Sequence, residues 1–212
     1  MELAAIGQQF YRRGWSVGTS SNYSSVLSRD PLELLVTASG MDKGSLTPRD
    51  FVVVDANGSP TSDDQPKSSA ETMLHVAIAN CRPVGCILHT HSTWATEISQ
   101  LYFDEGGVRI EGYEMLKGLA GVQSHEHSFL LEIFDNTQDI PVLAERLQAR
   151  LRDPERPLQY GFLIRRHGLY TWGRDVKEAR RHVEILEFLI ECVACRRMLS
   201  RNKGVVEFLN TP

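Results

Sequence analysis

The chain has 212 residues, of which 42% are hydrophobic, enough for one globular domain with a sizeable core. Its net charge of -4 gives no electrostatic reason to expect nucleic acid or an anionic membrane surface as a partner. The first residues lack the basic segment and long apolar core of a signal peptide, and no run approaches the ~20 apolar residues of a membrane span. We therefore expect a cytoplasmic protein.

Helices and strands alternate irregularly in the predicted order of elements. Helical spacing of apolar residues predicts helices over 2–13, 69–80, 92–101, 112–119, 140–151 and a long last segment after the N-cap Asp175. Predicted strands cover 23–28, 34–37 and 51–54, and the apolar runs 84–88 and 160–164 are typical of buried strands. Because the alternation is irregular, we expect an α/β fold with a mostly antiparallel central sheet covered by helices on both faces.

Two histidines stand at the end of the apolar run 84–88. Side chains at positions i and i+2 of a strand leave on the same side, so His89 and His91 are predicted to point into one space. His167 follows the run 160–164 in a similar position. Three neutral nitrogen donors on two strand ends are typical of a catalytic zinc site, which keeps a coordination position open. The alternative is that the pair only forms hydrogen bonds at the strand end.

Three short segments rich in small hydroxyl residues are candidates for binding a phosphate monoester. They cover 20–22, 37–40 and 67–70. Small residues let backbone N–H groups approach an anion, and hydroxyls add donors. A helix from about residue 70 would also place the positive end of its dipole beside Ser68 and Ser69. Taken alone, each segment is an ordinary turn or helix N-cap.

Two glutamates are candidates for proton transfer. Glu71 lies in the first turn of the helix predicted over 69–80, where its alternative role is to complement the helix dipole. Glu114 lies in the helix predicted over 112–119, where its alternative role is that of a solvated helix residue. The residues alone leave both possibilities open.

Other residues of similar chemistry are expected to be structural. The segment 125–127 is a second HxH pair, but its surroundings are polar and no buried strand precedes it. Cys192 and Cys195 form a CxxC inside a predicted helix, without the second pair that a zinc ribbon needs, so we expect buried reduced thiols.

Two arginines directly precede His167. Strand alternation predicts that one of Arg165 and Arg166 points inward, toward an anion or a neighbouring subunit.

The candidate segments follow one another in the order seen in a known family. They are Asn22, 37–40, 69–71, His89-Thr90-His91 and His167-Gly168. Through them the chain resembles the class II aldolases of the fuculose-phosphate and ribulose-phosphate epimerase type, in a single domain over 1–212 with a core of about 3–200. The segments 114–118, 134–140 and 165–173 are similar to the methylthioribulose-1-phosphate dehydratase branch of this class II aldolase and adducin-type family.

The resemblance implies a set of site residues. His89, His91 and His167 would hold one zinc ion per subunit, and phosphate would lie near Ser21, Asn22, Ser39, Gly40, Ser69 and Ala70. The aldolases usually carry a second serine at the position of Ala70, where this chain offers only a backbone N–H. Glu71 matches the acid/base glutamate of the aldolase branch, and Glu114 matches that of the dehydratase branch. We favour Glu114, because its surrounding motif distinguishes the branch.

The resemblance also implies an activity. A zinc-dependent hydro-lyase of methionine salvage would dehydrate 5-methylthioribulose 1-phosphate to 2,3-diketo-5-methylthiopentyl 1-phosphate, as a homotetramer with active sites near subunit boundaries. One alternative is a zinc-dependent aldolase that cleaves a ketose 1-phosphate. A second is a non-enzymatic, adducin-like interaction domain, which loss of the histidines would favour. Trp94 and Tyr113 are candidates for the methylthio end and equally for the core.

Overall fold

An eight-stranded sheet lies at the centre of the computed structural model, which describes residues 2–209. Its strands are β1 (Asn22–Arg29), β2 (Leu32–Thr37), β3 (Phe51–Val54), β4 (Cys86–Thr90), β5 (Gly107–Glu111), β6 (Ser128–Phe134), β7 (Gly161–Ile164) and β8 (Gly168–Gly173). Their spatial order is β3-β2-β1-β4-β8-β7-β6-β5. All neighbouring pairs are antiparallel except β6 and β7, so the prediction of a mostly antiparallel sheet is confirmed.

Five α-helices accompany the sheet within residues 2–209. They are α1 (Glu2–Arg12), α2 (Thr72–Cys81), α3 (Thr93–Leu101), α4 (Ile140–Leu151) and α5 (Val176–Leu209), and Pro48–Asp50 and Glu114–Gly118 form short 3-10 helices. The Asp175 carboxylate accepts a hydrogen bond from the Glu178 N–H, as the predicted N-cap of the last helix requires. Among the described helices, none has the length and apolar character that crossing a bilayer requires.

The central strand β4 is buried along its whole length. Ile87 packs in a cluster that includes residues of α2 and α4, whereas its neighbour Leu88 packs in a cluster with residues of α1 and α5. A third cluster joins α3, β5, β6 and α5. Burial on this scale fixes the strand firmly, and the strand in turn fixes the residues at its carboxyl end.

The helix predicted over 69–80 begins later than expected. Its first helical residue is Thr72 and its N-cap is Glu71, so the prediction that the helix starts beside Ser68 and Ser69 is wrong. The reason is pairing with the neighbouring loop, since Ser68 forms an antiparallel bridge with Ala38. The positive end of the helix dipole therefore lies at Glu71.

One further prediction about the elements needs correction, and three strands were missed. Residues 112–119 are not an α-helix but only the 3-10 helix Glu114–Gly118, preceded by Gly112 at a φ of +77° and followed by Gly121 at +80°. Glycines in these conformations interrupt a regular helix. The strands β5, β6 and β8 were not predicted at all. In β8 every residue is buried, so no alternation of polar and apolar residues marks it as a strand.

Candidate metal centre

The sheet brings the three predicted histidines together. β8 pairs with β4, so the turn that carries His167 lies beside the end of the strand that carries His89. The Nε2 atom of His167 lies 3.3 Å from that of His89 and 3.1 Å from that of His91. The three imidazoles therefore converge on one centre, although 78 residues separate His89 from His167.

Glu71 completes this cluster. Its Oε2 lies 3.4 Å from the His89 Nε2, and its Oε1 lies 3.2 Å from the His167 Nε2. The four candidate donor atoms, which include one from His91, all lie within 4.8 Å of one another. In the part of the chain that the structure describes, no other group of three or more His, Cys, Asp or Glu residues meets that criterion. Imidazole nitrogens with a carboxylate oxygen are a donor set that fits a divalent ion such as zinc.

The surroundings of His89 and His91 set the orientation and the protonation state of their imidazoles. The His89 Nδ1–H donates to the Leu169 carbonyl at 2.9 Å, which leaves its Nε2 lone pair directed at the centre. Burial, aided by His91 and His167, holds the pKa of His89 well below its usual value. Burial and then the His167 charge lower the pKa of His91 to about 3. These imidazoles are therefore neutral at physiological pH, as metal ligation requires.

The turn that presents His167 is held by close contacts. Arg166 adopts a φ of +52°, which is uncommon outside glycine, and its N–H donates to the Ser99 Oγ at 2.9 Å. A β-carbon on Gly168 would lie only 1.9 Å from the Thr90 carbonyl oxygen. Only glycine therefore lets β8 approach the end of β4 this closely.

A chain of hydrogen bonds orients the Glu71 carboxylate. The Ser24 hydroxyl donates to the His75 Nδ1 at 2.7 Å, and the His75 Nε2–H donates to the Asn22 Oδ1. The Asn22 Nδ2–H then donates to the Glu71 Oε2 at 2.7 Å, and the Tyr170 hydroxyl donates to the same oxygen at 2.9 Å. Burial lowers the pKa of His75 to about 3, so it acts here as a neutral link. Asn22 thus has a second role beside the one expected for it in phosphate binding.

A cavity of about 290 Å³ opens beside the four candidate metal ligands. Its walls include Glu71, His91 and His167. They also include all six residues that the resemblance implied for phosphate, namely Ser21, Asn22, Ser39, Gly40, Ser69 and Ala70. Two of these six, Ser21 and Gly40, have positive φ values of 72° and 75°. The structure therefore brings the expected metal and phosphate residues to one space.

Sequence reasoning missed part of this wall. Lys43 and the segment 136–138 line the cavity together with Ile140, and none of them was assigned a role from the sequence. The signal for the second group was available, since 134–140 is one of the segments that carry the branch resemblance. No signal pointed to Lys43, because lysines in loops are mostly exposed.

Glu114 lies elsewhere in the chain. Its side chain is 71% exposed, and it contacts Lys117 at 2.5 Å and the His125 Nδ1 at 3.6 Å. The hydrogen bond from Lys117 lowers the pKa of Glu114. Glu114 is not among the described residues that line the cavity. Within one chain, Glu71 and not Glu114 stands beside the histidines, and the catalytic role of Glu114 stays a prediction.

The other candidates take structural positions. Trp94 and Tyr113 are half-buried and pack against the cluster formed by α3 and α5. Arg165 does not reach the cavity wall, since its guanidinium lies over the Phe103 ring and donates to the Gln100 side chain. Cys192 and Cys195 are half-buried free thiols, more exposed than expected.

Together, the sheet, the imidazole cluster and the polar cavity define a protein with a candidate divalent-metal site beside a polar cavity. The family model described as the Class II Aldolase and Adducin N-terminal domain matches residues 1–194, and the chain belongs to this family.

Known relatives and structures agree with this assignment. Proteins named methylthioribulose-1-phosphate dehydratase from Marinobacter nauticus and Yersinia enterocolitica are 48% and 49% identical over 192 residues, which cover 90% of this chain and 89% and 88% of theirs. The solved structure of an L-fuculose 1-phosphate aldolase is 22% identical, with a TM-score of 0.72 over 96% of this chain and 86% of that chain. The last likeness shows the shared fold.

Proposed function

We propose that this chain is a metal-dependent hydro-lyase of methionine salvage, which dehydrates 5-methylthioribulose 1-phosphate to 2,3-diketo-5-methylthiopentyl 1-phosphate. The single observation that carries the proposal is the convergence of three histidines and Glu71 beside a cavity walled by the six residues expected for phosphate. The name of the two relatives, which match nine tenths of the chain, supports this substrate over other sugar phosphates.

We infer that the ion is zinc, one per chain, held by His89, His91 and His167. The neutral state of the buried imidazoles and the orientation of the His89 Nε2 support this assignment. When bound, such an ion supplies Lewis acidity at the C2 carbonyl of a ketose, which makes the proton on C3 more acidic.

The protein must then move two protons. A carboxylate takes the proton from C3, and the electron pair left on C3 expels the C4 hydroxyl, which leaves as water after it receives a proton. The resulting enol at C3 converts to the second ketone. General acid–base assistance of this kind contributes about 10²–10⁴-fold to the rate.

We assign this acid–base role to Glu114, with Glu71 as the alternative. Because Glu114 is exposed and outside its own cavity wall, it can act only on the cavity of a neighbouring subunit. A homotetramer with active sites near subunit boundaries meets this requirement. Glu71, which already accepts hydrogen bonds from Asn22 and Tyr170, then serves to hold the candidate metal ligands in position.

The variants Glu114→Gln and Glu71→Gln separate the two assignments. We expect Glu114→Gln to keep a full complement of zinc and lose at least about a hundredfold in kcat. Near-normal turnover by Glu114→Gln would move the role to Glu71. Co-assembly of Glu114→Gln subunits with His91→Ala subunits should restore turnover, since mixed boundaries contain one intact site. Two inactive parents that stay inactive when mixed would contradict action across a boundary.

The reaction itself is tested with the purified ketose phosphate. Dehydration produces a diketone that is followed by its ultraviolet absorbance, whereas an aldolase would release dihydroxyacetone phosphate, which glycerol-phosphate dehydrogenase detects. The fold shared with the L-fuculose 1-phosphate aldolase makes this the closest alternative. An adducin-like interaction domain would show neither product and no stoichiometric metal.

The remaining expectations belong to the same proposal. We infer one domain over 1–212, with its core over about 3–200, and a cytoplasmic location. We also infer that helices cover both faces of the sheet, because the successive β4 residues Ile87 and Leu88 pack with different helices.

A further inference from the structure

Lys43 is a buried cation. It lies in the loop after β2 with only 1% of its surface exposed, where lysine side chains are rarely found. Its ammonium donates to the Met41 carbonyl at 2.6 Å and to the Thr19 carbonyl at 3.2 Å. Among the described residues, no carboxylate forms an ion pair with it, whereas Lys117 is paired with Glu114. Two neutral acceptors leave one N–H of Lys43 without a partner, and the Asp42 charge offsets only part of the cost of burial, which lowers the pKa of Lys43 to about 8.

The Lys43 side chain forms part of the wall of the cavity beside the candidate metal ligands. Lys43 lines the same cavity as Ser39, Gly40 and Ser69, and it is the only lysine or arginine among the described residues of that wall. Its charge acts on the metal side of the cavity as well, because it adds to burial and His167 in lowering the pKa of His91. A buried charge is costly unless it meets an opposite charge, and the cavity is the open side.

The loop around Lys43 is closed by a hydrogen bond and packs against α1. The Asp42 carboxylate accepts a hydrogen bond from the Gly44 N–H at 2.9 Å, which closes the turn. Helix α1 presses on the same loop, since a β-carbon on Gly7 would lie 2.5 Å from the Lys43 carbonyl oxygen. The ammonium is therefore held in place before any ligand arrives, which lowers the cost of ordering it on binding.

We propose that the Lys43 ammonium is the cationic ligand of the phosphate group of the substrate, in the cavity that Ser39, Gly40 and the candidate metal ligands also line. This role rests on the proposed function in one respect, that the substrate is a phosphate monoester. The small residues of the wall supply neutral donors, and Lys43 supplies the charge that a phosphate dianion needs.

Binding of inorganic phosphate to the zinc-loaded protein tests this role without turnover. We expect saturable binding by calorimetry, weakened at least about tenfold in Lys43→Met and retained in part in Lys43→Arg. Lys177→Met is the matched control, because Lys177 is exposed on α5 and lies outside the cavity wall. Wild-type affinity in Lys43→Met, or no saturable binding by the wild type, would overturn the assignment.

A measurement on the wild type covers the case in which Lys43→Met does not fold. The chain has only five lysines, so their ammonium resonances can be followed individually by nitrogen-15 NMR. We expect added phosphate to shift the Lys43 resonance, assigned with Lys43→Arg, and to leave that of Lys177 in place. An unmoved Lys43 resonance at saturating phosphate would refute the contact.

Kinetics separate this inference from the proposed function. If the ketose phosphate is turned over, Lys43→Met should raise KM at least about tenfold, and Lys43→Arg should recover part of that loss. If it is not turned over while phosphate binding still depends on Lys43, the proposed activity fails and the anion site stands. Normal KM in a folded Lys43→Met enzyme would refute the site and leave the activity intact.

Discussion

Tyr170 stacks face to face on His89, with ring centroids 3.9 Å apart and ring planes inclined by 12°. The same tyrosine donates its hydroxyl hydrogen to the Glu71 Oε2. Phe162 stacks on its other face, at 5.0 Å. Tyr170 therefore connects the buried core to two of the candidate metal ligands. Its ring packs on His89, and its hydroxyl donates to Glu71.

Removing this hydroxyl should weaken metal binding. Burial and the Glu71 charge raise the pKa of Tyr170 well above its usual value, so the hydroxyl is a permanent donor. We expect Tyr170→Phe to keep the stacking but to lower zinc affinity by about tenfold, measured by competition with a chelator. The matched control is Tyr23→Phe, which removes a buried hydroxyl bonded to Ser16 at 2.6 Å. Equal zinc affinities of Tyr170→Phe and wild type would show that the hydrogen bond from Tyr170 to Glu71 does not support metal binding.

Removing the metal should lower thermal stability as well as activity. Histidines and a carboxylate that converge only in the folded chain would bind an ion only there, so a bound ion would stabilise the folded state. At a thousandfold excess over Kd this amounts to about 4 kcal/mol, which is about 10 °C in Tm for a chain of this size. We expect chelation to cause this drop and zinc to reverse it. His91→Ala should respond to neither, and a wild type without such a shift would argue against the site.

The local part of the site could be predicted from the sequence. The strand rule for positions i and i+2 places His89 beside His91 without any knowledge of the fold. The meeting of His89 with His167 depends on β4 and β8 being neighbours, a long-range pairing that no local pattern encodes. The prediction that His167 joins them came from its similar position after the apolar run 160–164, and the resemblance implied the same three ligands.

The remainder depended on burial, which the sequence does not reveal. Lys43 is a charged loop residue, and only the packed structure shows that it is enclosed and faces the cavity. His75 was not among the candidates, yet the fold makes it the link between Ser24 and Asn22. Glu71 could be placed near a helix start, but its position as N-cap follows from the pairing of Ser68 with Ala38.

Gly168→Ala should destabilise the fold and the site together. The new methyl group would lie 1.9 Å from a backbone oxygen of Thr90, so β4 and β8 must separate. We expect a loss of about 3 kcal/mol in the free energy of urea unfolding and weaker zinc binding. In the control Gly118→Ala the new methyl group meets the Ile185 Cδ1 at 2.5 Å, a side-chain end that can move. Equal losses in the two variants would show that the close approach at Gly168 is unimportant.

Glu187 should make stability depend on pH. Its carboxyl is buried against the end of β4, where it accepts a hydrogen bond from the Thr90 hydroxyl. Burial raises the pKa of Glu187 to about 7. Since the folded chain holds this proton more tightly, the stabilising contribution is complete below about pH 4.5 and disappears as pH rises through about 7, a change of about 3 kcal/mol. The buried imidazoles of His75, His89 and His91 have the opposite pH dependence but are common to both proteins. We therefore expect the difference in urea-unfolding free energy between Glu187→Gln and wild type to change with pH by the Glu187 contribution, while exposed Glu145→Gln keeps the wild-type slope. A wild-type slope in Glu187→Gln would exclude this carboxyl as its source.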